Sequence, residues 1–138
     1  MKPMIMNKIS LDTNILIYSH DKSDLRKQDI ARTLLNLYPV ISTQTISEYI
    51  NVLKRKITIP KYELIDLCMA NLDDCNIHPV RISTLKIAKH IIQRYDLQIF
   101  DSIIIASAVE TNCEILYSED MHHGLEIDGK LKILNPFL

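Results

Sequence analysis

Three aspartates occupy positions in this sequence where a carboxylate could do chemistry. Asp12 ends the apolar stretch KISL, Asp101 opens the apolar stretch SIIIASAV, and Asp120 closes the stretch ILYSED. If the stretches before Asp12 and Asp120 are parallel strands, both side chains lie outside the carboxyl ends of one sheet. Grouped carboxylates repel one another unless cations or protons compensate them, and oxygen donors without His or Cys favour Mg²⁺ or Mn²⁺ over zinc. The pattern therefore predicts a divalent-metal site.

Each aspartate also has a purely structural explanation. An Asp at the start of a helix commonly caps it, which applies to Asp12 and to Asp101. Asp120 could equally belong to a polar turn. Side chains alternate along a strand, so Ser118 and Asp120 are expected to point one way and Glu119 the other way, into solvent. The aspartates are more informative together than singly, because the same edge of one sheet would receive all three.

A glutamate and a basic run share the helix predicted over Thr45–Lys56. Glu48 falls nearly opposite the apolar stripe of that helix, so its spacing alone predicts a solvated side chain. One to two turns later come Lys54, Arg55 and Lys56, the strongest basic patch in the chain. An RNA backbone could use this patch, with Arg55 on the Glu48 side, although a solvated helix end explains it equally well.

Strand-like apolar stretches alternate with helix-like stretches along the chain. The strand-like stretches are Lys8–Leu11, Val40–Ser42, Ile77–Val80, Ile115–Ser118 and Lys132–Leu134. The helix-like stretches are Asn14–Tyr18, Ser23–Tyr38, Thr45–Lys56, Tyr62–Leu72, Ser83–Tyr95 and Ser102–Thr111. Ser23 and Ser83 are expected to cap their helices, and the last helix is apolar nearly all round, as in a buried helix. Strands separated by helices pair in parallel, so we expect one three-layer α/β domain over residues 1–138, with about five strands.

The composition is that of a single globular domain with no bias towards a nucleic-acid partner. The 138 residues are 47% hydrophobic, and 16 Lys+Arg against 17 Asp+Glu give a net charge of -1. Any contact with a polyanion must therefore come from a local patch. Three scattered cysteines without CxxC or Cys/His spacing argue against a disulfide framework and a zinc site. The adjacent His122 and His123 lack the i, i+4 spacing of a metal-binding pair.

The first eight residues, MKPMIMNK, contain no continuous apolar run, which argues against a secretory leader. No stretch of the sequence has enough consecutive apolar residues to span a bilayer. We therefore expect a soluble cytoplasmic protein.

Three stretches of the sequence resemble the PIN-domain nucleases: LDTNILIY at 11–18, STQTISEYINVL at 42–53 and FDSIIIASAVETNCEILYSEDM at 100–121. The length and the coverage resemble the VapC-type toxins of bacterial and archaeal toxin-antitoxin pairs. The resemblance implies a PIN-like α/β/α fold around a central parallel sheet. It carries the acidic quartet of the family onto Asp12, Glu48, Asp101 and Asp120. Thr13, Asn14 and Ser118 match the polar positions that support such a site.

By this resemblance, the chain is a metal-dependent endoribonuclease with one or two Mg²⁺ or Mn²⁺ ions. It would be a toxin inhibited by an antitoxin protein, and a homodimer through the apolar surfaces of the 23–38 and 62–72 helices. A non-catalytic PIN-like module that binds RNA or acts as a scaffold remains the alternative. A receiver-like signalling domain is disfavoured because the 77–80 strand ends without Asp, and a D-x-D phosphatase because Asn14 replaces its second acid.

Overall fold

A mostly parallel sheet of six strands forms the centre of the computed structural model, which describes residues 8–138. Residues 1–7 lie outside the described residues. They form most of the segment from which we expect no secretory leader. The strands are β1 (Ile9–Leu11), β2 (Val40–Ser42), β3 (Asn76–His78), β4 (Ile115–Tyr117), β5 (Glu126–Ile127) and β6 (Leu131–Leu134), in the spatial order β3-β2-β1-β4-β6-β5. The central parallel sheet of the sequence analysis is confirmed. The additional strand, β5, is only two residues long and pairs antiparallel with β6. It is too short to show the alternation of apolar and polar residues that predicts a strand.

Within residues 8–138, six helices connect the strands. They are α1 (Thr13–Tyr18), α2 (Leu25–Leu35), α3 (Thr43–Lys56), α4 (Lys61–Asn71), α5 (Ile82–Tyr95) and α6 (Ile99–Glu110). One apolar core lies between the sheet and α1 to α4, and a second lies between the opposite face of the sheet and α5 and α6. This arrangement follows from strand alternation: Ile9 and Leu11 belong to the first core, whereas Leu116 of the neighbouring strand belongs to the second. The predicted three layers are therefore present.

All six helices begin one to three residues away from the predicted start, and at α2, α5 and α6 the difference concerns the capping residue. Asp24 caps α2 by accepting a hydrogen bond from the Lys27 backbone, while the predicted cap Ser23 donates to Asp21 instead. Helix α5 begins one residue before the predicted cap Ser83.

The third difference concerns α6. This helix begins three residues earlier than expected, at Ile99, and the side chain of Gln98 caps it by accepting from the Asp101 backbone at 2.8 Å. Glutamine is not a favoured capping residue, so its residue type does not indicate a helix start at this position. Asp101 is consequently a first-turn residue with a free carboxylate. Residues 102–108 of α6 are all buried, which confirms the predicted buried helix.

The central pair of strands brings two polar segments together. β1 and β4 are parallel neighbours with Leu11 opposite Tyr117, and the Asp12 N–H donates to the Tyr117 carbonyl at 2.9 Å. Asp12 and Ser118 therefore leave the sheet side by side at its carboxyl edge.

The thiols of all three cysteines are free, and two of them, Cys68 and Cys113, are buried. Within residues 8–138, no helix combines the length and apolar character needed to cross a membrane.

Candidate functional site

Asp12 lies at the junction of β1 and α1 and is almost fully buried, with 6% of its surface exposed. It caps α1 by accepting from the Thr13 N–H at 2.7 Å, and its other carboxylate oxygen accepts from the Ser118 hydroxyl at 2.7 Å. The capping explanation for this aspartate is thus correct in geometry. It does not account for the carboxylate's other neighbours.

Burial raises the pKa of Asp12 to about 6, with further contributions from the negative charges of Asp101 and Glu48. The hydrogen bonds from Ser118 and Thr13 act in the opposite direction and favour the ionised form. A buried carboxylate that is also repelled by two others is unfavourable unless a proton or a cation accompanies it. The site is therefore electrostatically suited to a positive ligand.

Glu48 is half-buried rather than solvated, because α1 packs against α3. One of its carboxylate oxygens accepts from the Thr13 hydroxyl at 3.0 Å, and the other accepts from the Gln44 amide at 3.0 Å. The sequence-based expectation of a solvated helix face is wrong here. That expectation rested on the apolar stripe of α3 alone. In the structure the short helix α1 covers the edge of that stripe.

Asp101 completes the group from the opposite layer of helices. Burial raises the pKa of its carboxyl, and the charges of Glu48 and Asp120 raise it further. Asp101 therefore lies within electrostatic reach of Glu48, on α3, and of Asp120, after β4. The fourth acid, Asp12, is reached by Asp101 and Glu48.

Asp120 is exposed and is held by Asn14, whose amide N–H donates to its carboxylate at 3.2 Å. The amide oxygen of Asn14 accepts from the Glu119 backbone at 3.2 Å. Ser118 bridges in a similar way, since its hydroxyl donates to Asp12 and accepts from the Met121 backbone at 3.1 Å. Asn14 and Ser118 thus connect the turn after β4 to the start of α1.

All four carboxylates line one open cleft of about 450 Å³. Its other lining residues are Thr13, Asn14, Ile17, Tyr18, Asp21, Val52, Lys56 and Glu119. The acidic donors are all oxygens, which is the donor set that Mg²⁺ and Mn²⁺ prefer. Across residues 8–138, no three His, Cys, Asp or Glu side chains already form a group that could hold a metal ion. Side chains such as Glu48, tied on both oxygens by neutral donors, would have to turn to join a shared ion.

The basic run contributes one residue to this cleft. Lys56 lines it, one helical turn beyond Val52, whereas Lys54 and Arg55 do not. The expectation that Arg55 faces the site is wrong, because its guanidinium bends back to donate to the Asn51 carbonyl at 3.4 Å.

The two adjacent histidines do not share a ligand position. His123 accepts from the Asn135 backbone at 2.9 Å, while His122 lines a smaller cavity of about 180 Å³ on the other side of Asp101 and Asp120.

Sequence reasoning missed a charged pair beside the cleft. Glu119, expected to be solvated, accepts from the Lys27 ammonium at 2.5 Å and from the Tyr18 hydroxyl at 2.6 Å. The hydrogen bonds from Lys27 and Tyr18 lower the pKa of Glu119 below its usual range, against the opposing effect of burial, which is the largest single influence. Lys27 and Glu119 are 92 positions apart, and no spacing pattern connects them.

The shifted pKa of Asp12 predicts how the stability of the metal-free protein depends on pH. The folded state holds this proton up to about pH 6, whereas the ordinary value is 3.8. The resulting stabilisation is fully present below about pH 4 and is lost as pH rises through about 6. In urea titrations with a chelator, wild type should therefore lose up to about 3 kcal/mol relative to Asp12→Asn between these limits, at about 1.4 kcal/mol per pKa unit. Parallel pH profiles for the two proteins would contradict the assignment.

Comparison with known proteins identifies related folds. The family model described as the PIN domain matches residues 9–123. The search of curated protein sequences gives no significant match. A chain of a toxin-antitoxin complex from Klebsiella pneumoniae is 26% identical, with a TM-score of 0.68 and coverage of 94% of this chain and 97% of that one.

Two further solved structures share the fold at lower identity. VapC20 of Mycobacterium tuberculosis, described as a sarcin-ricin loop cleaving toxin, is 16% identical with a TM-score of 0.64, covering 82% of this chain and 92% of that one. FitAcB from Neisseria gonorrhoeae is 17% identical with a TM-score of 0.71, covering 94% of this chain and 98% of that one.

Proposed function

Because this chain belongs to the PIN domain family, we propose that it is a divalent-metal-dependent endoribonuclease that hydrolyses RNA phosphodiester bonds. One observation carries the proposal: Asp12, Glu48, Asp101 and Asp120, which are far apart in sequence, line a single cleft. Burial is the main cause of the raised pKa values of Asp12 and Asp101, and repulsion between the carboxylates raises them further. A cation bound between the carboxylates would relieve this repulsion.

Asp12, Asp101 and Asp120 would hold one or two Mg²⁺ or Mn²⁺ ions, and Glu48 would bind a second ion or orient the attacking water. When bound, such ions lower the pKa of a coordinated water and stabilise charge on the reacting phosphate. The protein supplies orientation. The Thr13 N–H and the Ser118 hydroxyl fix the carboxylate of Asp12, and hydrogen bonds of this kind keep ligand oxygens directed at an ion.

Glu48 is held in the same manner from α1 and from its own helix. The Thr13 hydroxyl and the Gln44 amide each donate to one of its oxygens. Neither donor is charged, so these hydrogen bonds orient the Glu48 carboxylate without adding a charge to the site. Thr13 contacts both Asp12 and Glu48, through its backbone and its side chain respectively, and so couples their orientations.

We propose a toxin role, with a separate antitoxin protein as the partner and the cytoplasm as the location. Similarity to a chain of a toxin-antitoxin complex supports this role. Homodimerisation is proposed through α2 and α4, which expose large apolar side chains: Leu25, Tyr62, Ile65 and Met69. Burying such side chains between two copies would remove them from water.

Cleavage of matched nucleic acids tests the proposal. Purified chain, freed of any bound partner, is incubated with end-labelled single-stranded RNA or with DNA of the same sequence, in Mg²⁺ or Mn²⁺. We expect internal cuts in RNA by wild type and none by Asp12→Asn or Asp101→Asn. Equal degradation by wild type and both variants would indicate a contaminant, and RNA binding without cleavage in either metal would identify a non-catalytic module.

Lys56 should contribute to substrate binding and not to the chemical step. It lines the cleft beyond Glu48 and is exposed, as expected for a contact to the phosphate backbone. Lys56→Met should raise KM about threefold to tenfold and leave kcat nearly unchanged. The slope of log RNA affinity against log salt concentration should become shallower by about one, as for the loss of one phosphate contact. Lys54→Met is the matched control, since Lys54 lies on the same helix end outside the cleft. Equal effects of the two substitutions would rule out a specific contact by Lys56.

A further inference from the structure

Glu119 is adjacent in sequence to Asp120, and its carboxylate is held from α1 and α2. One oxygen accepts from the Tyr18 hydroxyl at 2.6 Å, and the other accepts from the Lys27 ammonium at 2.5 Å. Lys27 also donates to the Tyr18 hydroxyl at 3.2 Å. The three groups form a closed triangle of hydrogen bonds that joins both helices to the turn after β4.

Aromatic rings shield this triangle from water. The Lys27 ammonium lies 4.6 Å from the ring centroid of Tyr18 and 5.2 Å from that of Phe137. The two rings meet edge to face at 5.0 Å, and Phe137 is 6% exposed. The Lys27 and Glu119 side chains keep only 25% and 23% of their surface exposed. We call these four residues, Tyr18, Lys27, Glu119 and Phe137, the Lys27 cluster. A partly desolvated cation over aromatic rings contributes more interaction energy than one in an ordinary surface ion pair.

The Lys27 cluster anchors the turn that carries Asp120. Asn14 holds this turn by accepting from the Glu119 N–H and donating to the Asp120 carboxylate. Lys27 and Tyr18 hold it through the Glu119 side chain. With the backbone and the side chain of residue 119 both fixed, the direction of the next side chain, Asp120, is restricted.

We infer that Lys27 is a positioning residue for the cleft: through Glu119 and together with Tyr18, it sets the direction of the Asp120 carboxylate. This inference rests on the proposed metal site, because it assigns Lys27 a role towards an ion that Asp120 helps to hold. Lys27 also balances the charge of Glu119, which lines the cleft together with Asp21 and the four carboxylates and would otherwise add a sixth negative group to it.

Charge and position can be separated with one double variant. Lys27→Met alone makes the cleft more negative, which would strengthen cation binding through charge and obscure any loss of positioning. Lys27→Met combined with Glu119→Met removes one charge of each sign and keeps the net charge. Lys27→Arg retains the ion pair. Arg94→Met is the matched control, since Arg94 also pairs with a carboxylate, that of Asp128, and lies 5.6 Å over a tyrosine ring, but its partner Asp128 does not line the cleft as Glu119 does.

Two readouts test the inference on the full chain. In the metal-free protein, NMR amide exchange at residues 119 and 121 should be about tenfold faster in the double variant, because both hydrogen bonds belong to the anchored turn. Calorimetric Mn²⁺ affinity should fall roughly tenfold, the lower end of the range for groups that orient metal ligands. Lys27→Arg and Arg94→Met should stay near wild type in both measurements. If the double variant does not fold, Lys27→Met alone serves for the exchange measurement.

The outcomes distinguish this inference from the proposed function. If the double variant shows the same amide exchange rates and the same Mn²⁺ affinity as wild type, the positioning role is overturned. If wild type binds Mn²⁺ more tightly than the double variant but cuts no RNA, the ribonuclease proposal fails and the positioning role stands. If wild type binds no Mn²⁺, both fail.

Discussion

Asp12→Asn is expected to lower the rate of RNA cleavage by on the order of 10³-fold, because it removes a carboxylate that would hold the ion stabilising charge in the transition state. The change keeps the size of the side chain and removes its charge. The carboxylate of Asp12 is the most buried of the four and is oriented by Thr13 and Ser118. Asparagine in this position offers an ion one neutral oxygen, so metal affinity and turnover should fall together.

A control aspartate shows whether the effect is specific. Asp66 is exposed on α4 and does not line the cleft, so Asp66→Asn should leave cleavage within about twofold of wild type, as surface substitutions usually do. Initial rates on labelled RNA at saturating Mn²⁺ provide the comparison. Retention of more than a tenth of the wild-type rate by Asp12→Asn would show that this carboxylate does not hold the catalytic ion.

Removal of divalent metal is expected to abolish cleavage completely and reversibly. In the cleft, Lys56 is the lysine that accompanies the four acids, and one ammonium cannot compensate them or generate hydroxide from water near neutral pH. Excess chelator should therefore stop RNA cleavage, and added Mg²⁺ or Mn²⁺ should restore it.

Thermal unfolding tests metal binding by a second, independent measurement. Binding of an ion to the folded state alone raises Tm in proportion to the logarithm of its concentration. Mn²⁺ should raise the Tm of wild type and should have little effect on Asp12→Asn or Asp101→Asn. Cleavage that continues in excess chelator would contradict a metal mechanism, whatever the Tm values.

Much of the cleft could be predicted because it depends on sheet topology. Asp12 and Asp120 come after the neighbouring parallel strands β1 and β4, and Asp101 lies in the first turn of α6, which packs on β2 and β4. Such positions follow from the alternation of strands and helices alone. Glu48 was different, since its own helix pattern indicated solvent and only the family resemblance associated it with the other acids.

The remaining features depend on contacts that leave no local pattern. The pairing of Lys27 with Glu119 requires α2 to lie beside the turn after β4, which neither segment encodes by itself. The Gln98 cap and the two-residue strand β5 use residue types or lengths that carry little signal. Helical geometry places Arg55 on the Glu48 side of α3, yet a hydrogen bond to its own helix directs the Arg55 side chain away from the cleft.

Anomalous diffraction from crystals containing Mn²⁺ tests the central claim most directly. The account predicts a strong manganese peak in the cleft, with carboxylate oxygens of Asp12 and Asp101 as ligands and Asp120 or Glu48 beside it. Crystals of Asp12→Asn grown in the same Mn²⁺ concentration should show a much weaker peak or none. A cleft without manganese in wild-type crystals, or manganese held only by residues outside the four carboxylates, would contradict it.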